Sequence, residues 1–372
     1  MSAEPLLAGP RKGIQKLCVG VGVLMLVGGL GELVVKKLTS AGAGSAYEEA
    51  TVGAFTAEAP LLDALTTPLL DRPIVGILSL PLSLEFRQQH HVNIPSNVRA
   101  IIPASYVKWL QAAGAQVVVI PHFWESTRIE ELVGKLSGIL FTGGDYGDEA
   151  WNATTAMIFH QALKRNGTDR ELALWGTCLG YERIVQVASQ NEVSAVVDAR
   201  LIDQSITVQW TEATSPFLEF MGPKHLAEFD RLPIAYNFHN FGVTPVSWAA
   251  NRDRLDPLFN VLGMHSLSSG LSFVAMIEGK NGLPVFGVQF HPEKALFEWS
   301  PNLHYPHSET AVMSNRRIAD FFIHQVRQTK FNGFQNFEDE SRFAIYNYRS
   351  IFTGISTNTS GAVFTETYII DK

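Results

Sequence analysis

An apolar run that stops on a glycine-bracketed cysteine and restarts as a helix leaves a chain few ways to fold. Residues Leu172 to Arg183 read Leu-Ala-Leu-Trp-Gly-Thr-Cys-Leu-Gly-Tyr-Glu-Arg. Leu172 to Trp175 has the short apolar character of a buried strand. Gly176 and Gly180 bracket Thr177, Cys178 and Leu179, and from Tyr181 onward Ile184, Val187 and Ala188 fall on one helical face. Strand, sharp turn, nucleophile and helix is the geometry of a nucleophile elbow, which lifts one side chain above a sheet. The helix that follows points its N-terminus at the sulfur, and its free N–H groups and dipole favour a thiolate. A lone cysteine is more often a small buried hydrophobe, so the turn implies chemistry only if the chain also supplies a base.

Pro284 to Glu293 supplies one. It reads Pro-Val-Phe-Gly-Val-Gln-Phe-His-Pro-Glu, a strand pattern ending in His291, Pro292 and Glu293. A cysteine nucleophile needs a base, and the base needs a carboxylate to orient it. On an extended chain His291 and Glu293 point the same way, so one strand end offers both. The oxyanion formed on attack needs fixed donors. The backbone N–H of Leu179 is one candidate, and that of Gly143 or Gly144 the other; a plain tight turn is the alternative reading of the glycine pair.

The rest of the chain alternates strand and helix patterns. Ile74 to Leu80, Val117 to Ile120 and Ile139 to Phe141 read as strands; Ala104 to Ala113, Arg128 to Leu136 and Ala153 to Leu163 read as helices. Such alternation predicts an α/β fold, a mostly parallel sheet with helices on both faces. Ligands then bind beyond the carboxyl ends of the strands, where Gly143, Cys178 and His291 can meet. Val274 to Glu278 and Val285 to Phe290 read as paired strands joined at Lys280-Asn-Gly. Asn237-Phe-His-Asn-Phe-Gly reads as a loop over the site, Ala311 to Arg327 as a helix, and Arg342 to Lys372 as aromatic and β-like without an assigned place.

Composition narrows the function class. A net charge of −7 argues against a nucleic-acid partner. The two cysteines, Cys18 and Cys178, cannot build a disulfide framework in the folded part. His90 and His91 are adjacent in an apparent loop and lack further ligands at metal spacing, so they are assigned no role. Near the start, Leu17 to Gly31 is apolar between basic flanks at Arg11, Lys12, Lys16, Lys36 and Lys37. This predicts a cytoplasmic tail and a signal anchor or signal peptide over 1–37. A linker over 38–72 and a catalytic domain over 73–372 follow. Ala41-Gly-Ala is a candidate cleavage site, late in the segment. Sequons at Asn152, Asn166 and Asn358 fit a luminal or extracellular domain, tethered as a single-pass type II protein if the segment is uncleaved.

Gly-Thr-Cys-Leu-Gly with a downstream Gln-Phe-His-Pro-Glu-Lys resembles the class I glutamine amidotransferase-like superfamily and, within it, the gamma-glutamyl hydrolases. The resemblance runs from about Pro73 to about Gly354. It includes Ala104-Ser-Tyr-Val-Lys-Trp-Leu, Gly138-Ile-Leu-Phe-Thr-Gly-Gly, Asn237-Phe-His-Asn-Phe-Gly and Gly287 through Trp299. It implies a three-layer α/β fold with Cys178 as nucleophile, His291 as catalytic base and His239 near the substrate. It also implies cleavage of γ-linked glutamate, typically in folate poly-γ-glutamates, without metal or cofactor, in a vacuole or lysosome or outside the cell. A homodimer is compatible with it. Two departures stand out. Glu182 occupies the place where amidotransferases usually carry Gln, and Asn240-Phe241 follows His239 where some gamma-glutamyl hydrolases have Lys-Trp. The alternatives are a hydrolase of another γ-glutamyl amide and an inactive membrane-tethered binding protein on the same scaffold.

Overall fold

Five short, almost wholly apolar strands build the centre of the protein: β1 (Ile74–Leu78), β2 (Gln116–Ile120), β3 (Gly138–Phe141), β4 (Ala173–Thr177) and β5 (Val285–Val288). They run parallel in the order β5-β4-β3-β1-β2. Strands without a polar face must be covered on both sides, and they are. Ile139 and Phe141 of β3 join one core with Ile129, Ile158 and Ile184. Leu140 between them joins the other, with Trp109, Phe321 and Phe322. Helices α1 (Ala104–Ala112), α5 (Pro216–Arg231) and α6 (Glu309–Gln328) supply the second core; α2 (Ser126–Val133), α3 (Glu149–Arg165) and α4 (Leu179–Ser189) supply the first. The expected three-layer α/β arrangement is therefore present.

The computed structural model describes residues 24–27, 33–36, 72–89, 94–190, 192–211, 214–354 and 364–371. The chain divides into two units, Met1–Thr66 and Thr67–Lys372. In the first, Leu24–Val27 and Leu33–Lys36 pair as an antiparallel ribbon, so the described part of the N-terminal apolar run is extended. The rest of that segment, the linker up to residue 71, His90, His91 and the sequon at Asn358 lie outside the described residues. Among the described residues, no helix is long and apolar enough to cross a membrane.

Three antiparallel strands, Gln209–Trp210, Phe259–Ser266 and Ser272–Gly279, extend the central sheet beyond β5. The turn into β5 has Asn281 at φ 55° and Gly282 at φ 76°. Two successive left-handed residues match the twist of a tight hairpin, and the hairpin read at Lys280-Asn-Gly is found. The C-terminal stretch also finds its place. Arg349–Phe352 and Glu366–Ile370 join Ala100–Pro103 and Leu80–Pro81 in a separate four-stranded sheet.

One reading is corrected. Residues Ala235–Gly242 are a strand, not a loop, paired antiparallel with Val197–Ile206. The ladder shifts register on either side of His239. Such bulges break the period-two pattern by which a strand is read and re-aim side chains. Of the sequons, Asn152 lies inside α3 with its Thr154 buried, while Asn166 ends α3 before the exposed residues Gly167 and Thr168.

Candidate active site

Parallel strands deliver their carboxyl ends to one edge, and β3, β4 and β5 bring three loops together there. β4 ends at Thr177 and α4 begins at Leu179, leaving Cys178 between them at φ 50°, ψ −112°. A non-glycine residue in this region costs about 1–3 kcal/mol and persists only where its neighbours hold it. Here the Cys178 N–H donates to the Val288 carbonyl at 2.8 Å, and its own carbonyl accepts from the Glu182 N–H at 2.8 Å. Gly180 permits the turn, because a Cβ there would overlap the backbone of Phe141.

His291 is fixed beside this elbow by its N–H, which donates to the Tyr236 carbonyl at 2.8 Å. Its Nδ1 lies 2.8 Å from Oε1 of the fully buried Glu293. A carboxylate can only accept, so Nδ1 carries the proton and Nε2 the lone pair. That Nε2 is buried and has no partner among the described residues. The pairing was expected from alternation along a strand, but β5 ends at Val288 and Glu293 has helical backbone, φ −68° and ψ −28°. A turn through Pro292 returns the carboxylate to the imidazole.

Gly143 explains how the two groups share one space. A Cβ on it would sit 2.7 Å from His291 Cε1, 2.7 Å from Tyr106 Oη and 3.2 Å from Cys178 Cβ. Its N–H, however, donates to Tyr106 Oη at 2.9 Å. Gly143 is thus withdrawn from the pair of oxyanion candidates, and Gly144, which lines the cavity together with Leu179, remains. Tyr106 was not anticipated as a site residue, although it stands in the Ala104–Leu110 motif. Its hydroxyl also lies 3.3 Å from His291 Nδ1, so it braces the imidazole and the glycine turn together.

The cavity holds about 300 Å³, and Cys178, Glu182, His239, His291 and Lys294 line it. Burial, reinforced by Glu182, pushes the Cys178 thiol well above its ordinary range, against the Leu179 N–H, which favours the thiolate. Burial likewise lowers His291, against the attraction of Glu293. Burial of both groups thus opposes the thiolate that the N-terminus of α4 favours. His239 is buried, with Nε2 3.2 Å from Asn237 Oδ1. Burial first and His291 second hold its pKa down to about 3, so it is uncharged at neutral pH. Glu182 accepts from Gln289 Nε2 at 2.8 Å, and burial pushes its carboxyl up to about 7. Burial alone would lower Lys294, but Tyr305, Glu298 and Glu293 outweigh it, and the ammonium stays charged.

A second row of Ser79, His122 and Asp148 has distances of 3.0 and 3.4 Å. It resembles a hydrolytic triad on paper, but Ser79 and His122 are buried and neither lines the cavity. Among the described residues, no group of His, Cys, Asp and Glu has the arrangement of a metal site.

The class of protein defined by this fold and this edge is a cysteine-type hydrolase. Residues 73–293 match the Peptidase C26 family, and the chain belongs to that family. It is similar to the Homo sapiens protein named Gamma-glutamyl hydrolase, with 30% identity over 305 residues, 81% of this chain and 90% of that one. The Bos taurus protein of the same name is 28% identical over 83% of this chain and 93% of its own length. Gamma-glutamyl hydrolase B of Dictyostelium discoideum is 28% identical over 78% and 82%.

Proposed function

We propose that the chain hydrolyses γ-glutamyl amide bonds through an acyl-enzyme on Cys178. The observation that carries this reading is the buried imidazole of His291 beside the elbow, its Nδ1 held by Glu293 and its Nε2 without a hydrogen-bond partner among the described residues. Sγ attacks the γ-carbonyl carbon while Nε2 takes the thiol proton. The oxyanion is met by the N–H groups of Leu179 and Gly144. The tetrahedral species collapses, the C–N bond breaks, and the amine leaves with the proton from His291. Water then gives its proton to His291 and its oxygen to the thioester, releasing the γ-carboxylate and restoring the thiol. The names of the similar proteins support γ-glutamyl amides as the substrate class, and the family resemblance favours folate poly-γ-glutamates among them.

Product analysis on a γ-glutamyl amide and its α-linked isomer tests the reading. The γ-isomer should be cleaved and the α-isomer about a hundredfold more slowly, because its carbonyl is displaced from the groups that position the substrate. Equal rates, or cleavage of the α-isomer alone, would overturn it.

The setting we infer is luminal or extracellular, tethered or processed at the N-terminus. Its support is the basic-flanked apolar run and the sequon at the exposed end of α3. Protein from a eukaryotic host should gain mobility on glycosidase treatment, and Asn166→Gln should reduce that gain. No shift, with a cytosolic location by protease protection, contradicts this setting.

A further inference from the structure

Two residues of the Val197–Ile206 strand, Ile202 and Asp203, face the single Phe238 of its partner, because Leu201 pairs with His239 and Gln204 with Asn237. An extra residue of this kind turns a side chain out of the regular alternation. Asp203 absorbs it with φ 53°, a left-handed conformation that Asp and Asn enter more readily than other residues with a side chain. At the same bulge the Phe238 carbonyl comes within 3.9 Å of Cys178 Sγ.

The carboxylate turned in this way collects three donors. Its Oδ1 accepts from Tyr236 Oη at 2.9 Å and from the His304 N–H at 2.8 Å, and its Oδ2 lies 2.7 Å from His304 Nδ1. Burial first, then Tyr305 and Asp203, push the Tyr236 phenol far above its ordinary range, so it keeps its proton and donates. Tyr236 is fully buried. Its carbonyl accepts from the His291 N–H at 2.8 Å, and its ring stands edge-on to the imidazole with centroids 6.5 Å apart. A second edge contact, at 4.8 Å, packs it against Tyr305. One residue thus touches both the backbone and the ring of His291, and its far end is tied to Asp203.

A base that takes a proton from the thiol and then gives it to the leaving amine has to keep its ring in one direction through both steps. Glu293 and Tyr106 hold the imidazole at Nδ1, and Tyr236 adds a contact to the ring itself. Resting on the reading of His291 as the group that accepts the thiol proton, we propose that Tyr236 and Asp203 are positioning residues for this reaction. The bulged Asp203 pins the Tyr236 phenol, and the pinned Tyr236 keeps the His291 imidazole aligned for proton transfer. Both act through His291, so their influence falls on the chemical step and not on the binding of substrate.

The test reads kcat and KM on a γ-glutamyl amide, and the rate at which a small neutral electrophile labels Cys178, in the full chain with its folded state checked by thermal melting. Tyr236→Phe removes one hydroxyl and keeps the ring; Asp203→Gly removes the carboxylate and suits the left-handed backbone. Each should lower kcat and the labelling rate by roughly tenfold and leave KM within about twofold, since a small misalignment of the base slows proton transfer without loosening the substrate. The double variant should be no slower than Asp203→Gly alone, as expected of two residues acting through one contact. Asp203→Asn, whose amide oxygen can still accept from Tyr236 and which tolerates the same backbone, should stay within about threefold of wild type. Full rates in both single variants overturn the inference, as do a loss confined to KM, an additive double variant, or Asp203→Asn as slow as Asp203→Gly. Folded wild type that is labelled at Cys178 yet cleaves no γ-glutamyl amide overturns the substrate reading alone, and the labelling rates of the variants then decide this proposal by themselves.

Discussion

Cys178→Ala should keep its fold and lose about four orders of magnitude in kcat on a γ-glutamyl amide, because no nearby group can form the acyl-enzyme in its place. Retention of the fold is expected because an alanine fills the same short branch at the elbow, and the hydrogen bonds that hold this residue at positive φ are made by its backbone. Cys178→Ser should be nearly as slow, its hydroxyl being a weaker nucleophile at a site sized for sulfur. The pH dependence of thiol labelling carries the electrostatic part of the account. The thiol is held above its ordinary range, so alkylation by a small neutral electrophile should still climb with pH where a free cysteine has levelled off. Glu182 ionises above about 7 and then opposes the thiolate. Glu182→Gln should therefore speed labelling on the alkaline side, while its amide oxygen still accepts from Gln289. Turnover by purified Cys178→Ala near the wild-type rate would end the covalent mechanism.

The second large effect separates the two histidines. His291→Asn should reduce kcat by about three to four orders of magnitude and also slow the reaction of Cys178 with a small electrophile, since the group that accepts the thiol proton is gone. His239→Asn should lower turnover by roughly ten- to a hundredfold and leave that small-molecule reaction intact. His239 is uncharged, tied to Asn237 and part of the cavity wall, so its influence runs through the shape and hydrogen bonding of the bound substrate. The two assays together decide the roles. If His239→Asn silences thiol reactivity and His291→Asn spares it, the assignments are reversed.

The features legible in the sequence were those written in neighbouring residues. The elbow needs glycine at Gly180 and a strand before it, and both stand within a few positions of Cys178. The Asn281-Gly282 turn is equally local. The sheet followed from the alternation of apolar runs with helical faces. What escaped depends on contacts between distant segments. Residues 235–242 looked like a loop because Asn, His and Gly interrupt them; only the partner strand and its bulges make them a ladder. Tyr106 comes from the first helix of the sheet and reaches the site through packing, so nothing beside it in the sequence marks its hydroxyl as a partner of Gly143 and His291. Likewise the Cys178 turn favours a thiolate because a helix N-terminus is visible in the sequence, whereas the desolvation that opposes it is a property of the closed fold.

The small four-stranded sheet gives the order of synthesis a chemical meaning. Glu366–Ile370 pairs on both sides, with Arg349–Phe352 and Ala100–Pro103. Just before it, Phe364 faces the cavity and Thr365 N–H donates to Glu298 at 2.6 Å. The nucleophile at Cys178 is therefore laid down well before Phe364, part of the wall that dries its surroundings. A growing chain that stops short of Phe364 carries the cysteine, the histidine and the glutamate without this part of their enclosure.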